Sequence, residues 1–201
     1  MQIIAERLAA KMLEENMISA DDKDWYIYSL QIVIEKIIGY SIILLAAVLF
    51  DCFFQTVGFL LVLSGIRKYC GGFHFKHFWS CFLFSVGSHL IFVLLYQRFR
   101  MDLTGISMLV TGVMCLGIFC IGAVNNQGIH WNQQELLVNT SLTRISILTI
   151  YGVMLGLMLA GIDASYLWFM GWGVCLSFCS LLAEKMISCI KIRKIITIKK
   201  R

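Results

Sequence analysis

Leu103-Thr104-Gly105-Ile106-Ser107-Met108-Leu109-Val110-Thr111-Gly112-Val113-Met114-Cys115-Leu116-Gly117-Ile118-Phe119-Cys120-Ile121-Gly122-Ala123-Val124 runs through the middle of the chain without one charged side chain. A helix needs roughly 20 such residues to cross the hydrocarbon of a bilayer. Working outward, Phe78 to Tyr96, Ile145 to Ile162 and Ala164 to Ala183 have the same character. Ile37 to Phe50 and Phe53 to Ile66 are shorter and are separated by Asp51 and Cys52, so they read either as two short spans or as a helical hairpin. If the first begins near Tyr28 it reaches full length, with Glu35 and Lys36 close enough to the membrane surface to snorkel. The expectation is an all-α, polytopic integral membrane protein with about six transmembrane helices, forming a single membrane-embedded domain over residues 1–201.

Composition supports the same reading. Apolar residues make up 59% of the 201-residue chain and charged ones 14%, against about 25% charged in an ordinary soluble domain. So few charges could not cover the surface of a soluble globule this size, and a disordered chain is excluded outright. Proline is absent, which removes collagen-like and Pro-rich classes. The net charge of +5 is small for a nucleic-acid binder, and much of it lies in a basic tail over 185–201. No nucleic acid is expected as a partner; anionic lipid headgroups are.

Charge placement orients the chain. With six spans and a cytoplasmic N-terminus, Arg7, Lys11, Lys23, Arg67, Lys68, Lys76, Arg144 and the tail all fall inside, leaving Arg98 and Arg100 outside. That satisfies the positive-inside rule and puts both termini in the cytoplasm. Met1 to Met17 holds Glu6, Arg7, Lys11, Glu14 and Glu15 without a continuous apolar stretch, so no signal peptide is expected there. Ile4, Leu8 and Met12 recur at helical spacing instead, predicting an amphipathic helix lying in the inner interface or packed on a neighbour. Asp21, Asp22 and Asp24 mark the turn into the first span. Gly152 and Gly156 give a small-xxx-small spacing, which allows close helix contact within the chain or in a homodimer.

Polar, reactive and glycine residues concentrate in one place, 67–81: Arg67-Lys68-Tyr69-Cys70-Gly71-Gly72-Phe73-His74-Phe75-Lys76-His77-Phe78-Trp79-Ser80-Cys81. Three chemistries fit it. Cys70, His74, His77 and Cys81 are all zinc-ligand types, but on an unbroken helix the end ligands would stand about 16 Å apart, so such a site requires a break at Gly71-Gly72. The expectation is no metal and no cofactor. Alternatively Cys81, in the first turn of a helix starting near Phe78, is a nucleophile whose thiolate is favoured by the helix dipole, by Lys76 and by an imidazole. Spacing leaves the partner open: His77 is one turn away, whereas His74 requires the chain to fold back, which the glycines permit. The bland alternative is a basic loop whose histidines do nothing. His89 and His130 are given no role, and Cys115, Cys120, Cys175 and Cys179 are read as apolar fillers within spans.

The order Arg67, Gly71-Gly72, His74, Cys81 resembles the signature of the accessory gene regulator B family, bacterial membrane peptidases that process quorum-sensing propeptides. The resemblance extends to the amphipathic N-terminus, the span count and Gln31 before the first span. It implies that Cys81 is the nucleophile and His74 its base, with His77 the alternative base, and that Arg67, Gly71, Gly72, Gln31 and Lys76 support activity or bind substrate. It implies a substrate, an AgrD-like propeptide, cleaved near its C-terminal part through a thioester on Cys81 that a substrate cysteine then closes into a thiolactone. The location implied is the bacterial cell membrane. Relatives commonly carry prolines and a basic cluster after the fourth span; here 125–135 has neither proline nor lysine. The readings from other classes are a small transporter or channel, against which the charge-free spans argue, and an inactive relative that only binds the precursor.

Overall fold

The computed structural model describes residues 2–73, 78–99, 104–125 and 131–199. All regular structure among them is helical: α1 (Gln2–Glu14), α2 (Lys23–Leu49), α3 (Phe53–Cys70), α4 (Phe78–Phe99), α5 (Thr104–Ile121), α6 (Gln133–Leu159) and α7 (Ala164–Lys199). Five of these, α2, α4, α5, α6 and α7, are long and apolar enough to cross a membrane. Their outer faces carry Leu45, Leu83, Leu109, Leu116, Leu148 and Leu159, all well exposed. In water such a surface would aggregate; against lipid chains it is solvated.

Helix boundaries follow local chemistry. Met17 N–H bonds the Met12 carbonyl across Asn16, which adopts φ +54°, so α1 ends in a left-handed cap. Its small face, Ala5 and Ala9, is fully buried against α2, while Ile3, Ile4 and Leu8 point outward. α2 starts at Lys23 and therefore takes the full-length alternative for the first span. The helix expected over 103–124 stops at Ile121, because Gly122 turns to φ +71°. The one expected from Ile145 begins at Gln133 instead: Asn132 and Glu135 form a reciprocal capping box, at 2.9 and 2.8 Å, that starts α6 within the polar stretch. α7 continues past Ala183 because neither glycine nor proline follows Gly173 to stop it.

α3, 18 residues long like α5, has Arg67 and Lys68 in its last turn, and it occupies the centre. It packs most extensively against α7 and also meets α6 and α2. In lipid, helices associate through close fit rather than through apolar burial, and small residues set the distance. Gly173 shows this: a Cβ there would stand 2.9 Å from the Phe59 carbonyl oxygen and 3.2 Å from Val62. Gly58 meets Met170, Phe59 and Val62 meet Gly173, and Gly72 meets Ser180, so α3 and α7 run parallel with matching ends together. Val62, Ile66, Cys70, Cys115, Ile118, Ile147, Val174 and Leu181 fill the core at one end; Ile43, Ala47, Cys52, Phe59, Leu60, Val93 and Phe169 fill it at the other. Among the described residues, nothing lies within 4 Å of a would-be Cβ at Gly152 or Gly156, so their spacing serves no contact there.

Candidate active site

The segment singled out in the sequence begins at the end of α3. Arg67 and Lys68 lie in its last turn, where cations complement the carbonyl end of the helix dipole. Lys68 Nζ sits over the Tyr69 ring, 5.1 Å from its centre. Cys70 is fully buried and its thiol donates to the Gly71 carbonyl at 3.3 Å.

The helix then stops at two consecutive glycines with positive φ, +71° at Gly71 and +118° at Gly72. An L side chain is strained at either angle. Close approach excludes one as well: a Cβ on Gly71 would collide with the Val124 carbonyl oxygen, and one on Gly72 would stand 2.7 Å from Ser180 Oγ.

Both sides of this turn are tied down. Val124 N–H donates to the Cys70 carbonyl at 3.0 Å, and Gly71 and Val124 form a single parallel β-type pair. Behind Val124, the Asn125 side chain imitates a strand: Nδ2 donates to the Trp131 carbonyl and Oδ1 accepts from Trp131 N–H, each at 3.0 Å. That places the Trp131 ring 3.6 Å from where a Gly71 Cβ would be. On the other side Phe73 N–H donates to the Ser180 carbonyl of α7 at 3.0 Å. The Phe73 carbonyl accepts from Arg67 Nη2 at 2.8 Å and from Ser180 Oγ at 3.3 Å. Two helices, α3 and α7, therefore converge on the Phe73 carbonyl, and Val124 holds the turn before it.

His74, Lys76 and His77 lie outside the described residues, as does His130. Cys81 is half-buried in the first turn of α4, beside exposed Trp79. That position is where the partial positive charge of a helix N-terminus favours a thiolate. Gln31 lies within α2 rather than before it, and its Nε2 donates to Glu35 at 3.0 Å. The structure thus joins Arg67, Gly71 and Gly72 in one unit, places Cys81 where the next helix starts, and leaves Gln31 bonded along its own helix. Among the described residues, no three histidine, cysteine or acidic side chains gather into a metal-holding group.

Sequence reasoning missed Val124, Asn125, Trp131 and Ser180, which hold the loop, and Glu184, buried at 3% exposure one turn beyond Ser180. Ser180 looks like one more small residue in an apolar run, and nothing local marks it. Glu184 carries a readable signal, since a carboxylate that close to a span asks for a reason.

A family model described as Accessory gene regulator B matches residues 5–183, nearly the whole membrane-embedded part. No curated protein and no solved structure matches.

Proposed function

The chain belongs to the accessory gene regulator B family, whose members process AgrD-type propeptides in quorum sensing, and from that premise we propose that it is a membrane cysteine endopeptidase. In this reading Cys81 is the nucleophile and His74 the base. The imidazole takes the Cys81 proton, the sulfur attacks the scissile carbonyl, and the same proton leaves on the amine of the departing C-terminal fragment. The N-terminal fragment stays on Cys81 as a thioester. A cysteine thiol of the fragment then attacks that carbonyl, closing a thiolactone and returning the Cys81 thiol. Because a thioester exchanges for a thioester, the energy of the broken peptide bond is kept for the ring, and a water-poor site protects it from hydrolysis.

The observation that carries this reading is the loop geometry: Gly71 to Phe73, fixed by Arg67, Val124 and Ser180, lies between α3 and the helix start that bears Cys81. Arg67, Gly71 and Gly72 support activity by building that loop; Lys76 and Gln31 are assigned to substrate or support. α3 counts as the sixth span, which puts both termini and the 67–81 segment on the cytoplasmic side of the cell membrane. There the N-terminal segment 1–24, with α1 in it, rests in the interface and the 185–201 tail meets anionic lipid. A homodimer would use the open Gly152/Gly156 face.

The test is processing in vesicles of the peptide encoded by a short reading frame beside the gene, one with an amphipathic leader, a central cysteine and an acidic tail. Cys81→Ser and His74→Ala each abolish cleavage, whereas His77→Ala largely spares it. Retained cleavage by His74→Ala moves the base to His77, and retained cleavage by Cys81→Ser ends the proposal.

A further inference from the structure

A serine or threonine inside a helix ordinarily turns its hydroxyl back onto the carbonyl one turn earlier. Ser177 does so to Gly173 at 2.8 Å, Ser41 to Ile37 at 2.8 Å and Thr143 to Asn139 at 2.8 Å. Ser180 departs from this habit. Its hydroxyl leaves α7 and donates 3.3 Å away to the Phe73 carbonyl, and its own carbonyl accepts from Phe73 N–H at 3.0 Å. Arg67 Nη2 reaches the same Phe73 carbonyl from α3, a charge-assisted bond at 2.8 Å.

One peptide unit is thereby gripped from two helices. A peptide is planar, and the Phe73 carbonyl carbon and oxygen share their plane with the following Cα. Fixing that carbonyl fixes the direction in which the chain leaves Phe73. Gly72 makes the grip possible, because a Cβ there would occupy the space of Ser180 Oγ. A loop needing only attachment would be served by the backbone bond to Ser180; the hydroxyl adds a second constraint at one atom.

We propose that Ser180 is a positioning residue, which with Arg67 sets the Phe73 carbonyl and thereby the aim of the His74 imidazole at Cys81. This rests on the dyad assigned above. Ser180 does not touch the reacting atoms. Its loss removes one of the two side-chain bonds that hold that carbonyl from α3 and α7, so the base assigned above is held less firmly for its task.

The readout is the reactivity of Cys81 itself, which needs no precursor. The full chain in phosphatidylethanolamine and phosphatidylglycerol vesicles is treated with iodoacetamide from about pH 4 to 10, which spans the free cysteine value of about 8.5 and most of the range of about 3.5–7.5 to which a paired cysteine is lowered, and the Cys81 adduct is followed by peptide mass spectrometry. The thiolate displaces iodide, so rate reports thiolate fraction. His74→Ala slows alkylation near neutral pH and moves the profile alkaline. Ser180→Val moves it the same way, slowing the neutral rate about tenfold, the effect of one hydrogen bond of ordinary net strength. Ser180→Thr, with the shape of valine but a hydroxyl, restores it. A merely structural role would leave the valine and threonine profiles alike. Should Ser180→Val fail to insert, Ser180→Ala, which keeps the backbone bond, takes its place against Ser180→Thr. An unchanged Ser180→Val profile beside a slowed His74→Ala overturns this proposal and leaves the dyad standing. An unchanged His74→Ala profile overturns the dyad, and the role of Ser180 with it.

Discussion

α3 starts next to one cysteine, Cys52, and leads through the glycine loop to another, Cys81 in α4, and the surroundings of the two differ in kind. At its start Cys52 lies 3.7 Å from Thr56 Oγ1, which is 3.2 Å from His89 Nε2. That imidazole stacks on Phe59, with ring centres 4.6 Å apart, and meets Phe169 edge-on at 6.0 Å. Cysteine, hydroxyl and histidine are in contact there, yet Cys52, Thr56 and His89 are all buried and no peptide could reach them. At the other end of α3 the polar groups tied together are mostly backbone, the loop bends at two glycines, and the cysteine of interest, Cys81, is half-buried at a helix start. A list of reactive residue types would choose the first cluster. Access, together with groups held from more than one helix, chooses the second.

The sharpest way to break this comparison is at Gly72. With φ at +118° and Ser180 Oγ 2.7 Å from a would-be Cβ, Gly72→Ala carries strain of about 1–3 kcal/mol in place, or moves the loop off Ser180. Precursor cleavage should fall at least about a hundredfold, the scale on which misplacing a reacting group by about 1 Å acts. Gly152→Ala, with open space at its Cβ, should process normally. Equal activity in the two would mean that the loop is ordinary.

The next test is at the other end of α3. His89→Ala removes a ring packed between Phe59 and Phe169 and leaves the Thr56 hydroxyl only its weaker contact with the Cys52 sulfur. Thermal unfolding in detergent should show a loss of about 2–4 kcal/mol. Iodoacetamide labelling of Cys81 below the melting temperature should not change. Thr56→Val keeps the shape and removes the hydroxyl, so it should cost about 1–2 kcal/mol with the same indifference at Cys81. If either variant stopped processing while remaining folded, the buried cluster would belong to the machinery and the contrast would fail.

What could be read from the residues follows from how far each signal reaches. Uncharged runs such as 103–124 report the membrane directly, because a charge at the centre of a bilayer is costly whatever its neighbours. Helix ends are less legible: Gly122 is visible as a residue but not as a stop, and the Asn132/Glu135 capping box lies inside a polar stretch with no apolar period to mark it. At the site, Arg67, Gly71, Gly72 and Cys81 stood out because they are clustered in sequence. Ser180 lies 107 residues from Phe73, and a serine among leucines has no local mark of its partner. Only the parallel pairing of α3 with α7 reveals it.

The smallest expected effect is at Asn125, and it asks how far the site extends. The stretch 125–135 lacks the prolines and lysines that relatives commonly carry, yet Asn125 closes it by two hydrogen bonds to Trp131, whose ring backs Gly71. Asn125→Ala loses both bonds at a half-buried position, costing about 1 kcal/mol after water replaces part of them. The loop would keep its other ties, Val124 to Cys70 and Phe73 to Ser180. Processing should therefore fall only about two- to fivefold, the kinetic equivalent of a few tenths to 1 kcal/mol, with the Cys81 alkylation profile unmoved. A drop as deep as that of Gly72→Ala would make Trp131 part of the wall that aims the catalytic segment, and the held unit would then include the start of α6 as well as α3 and α7.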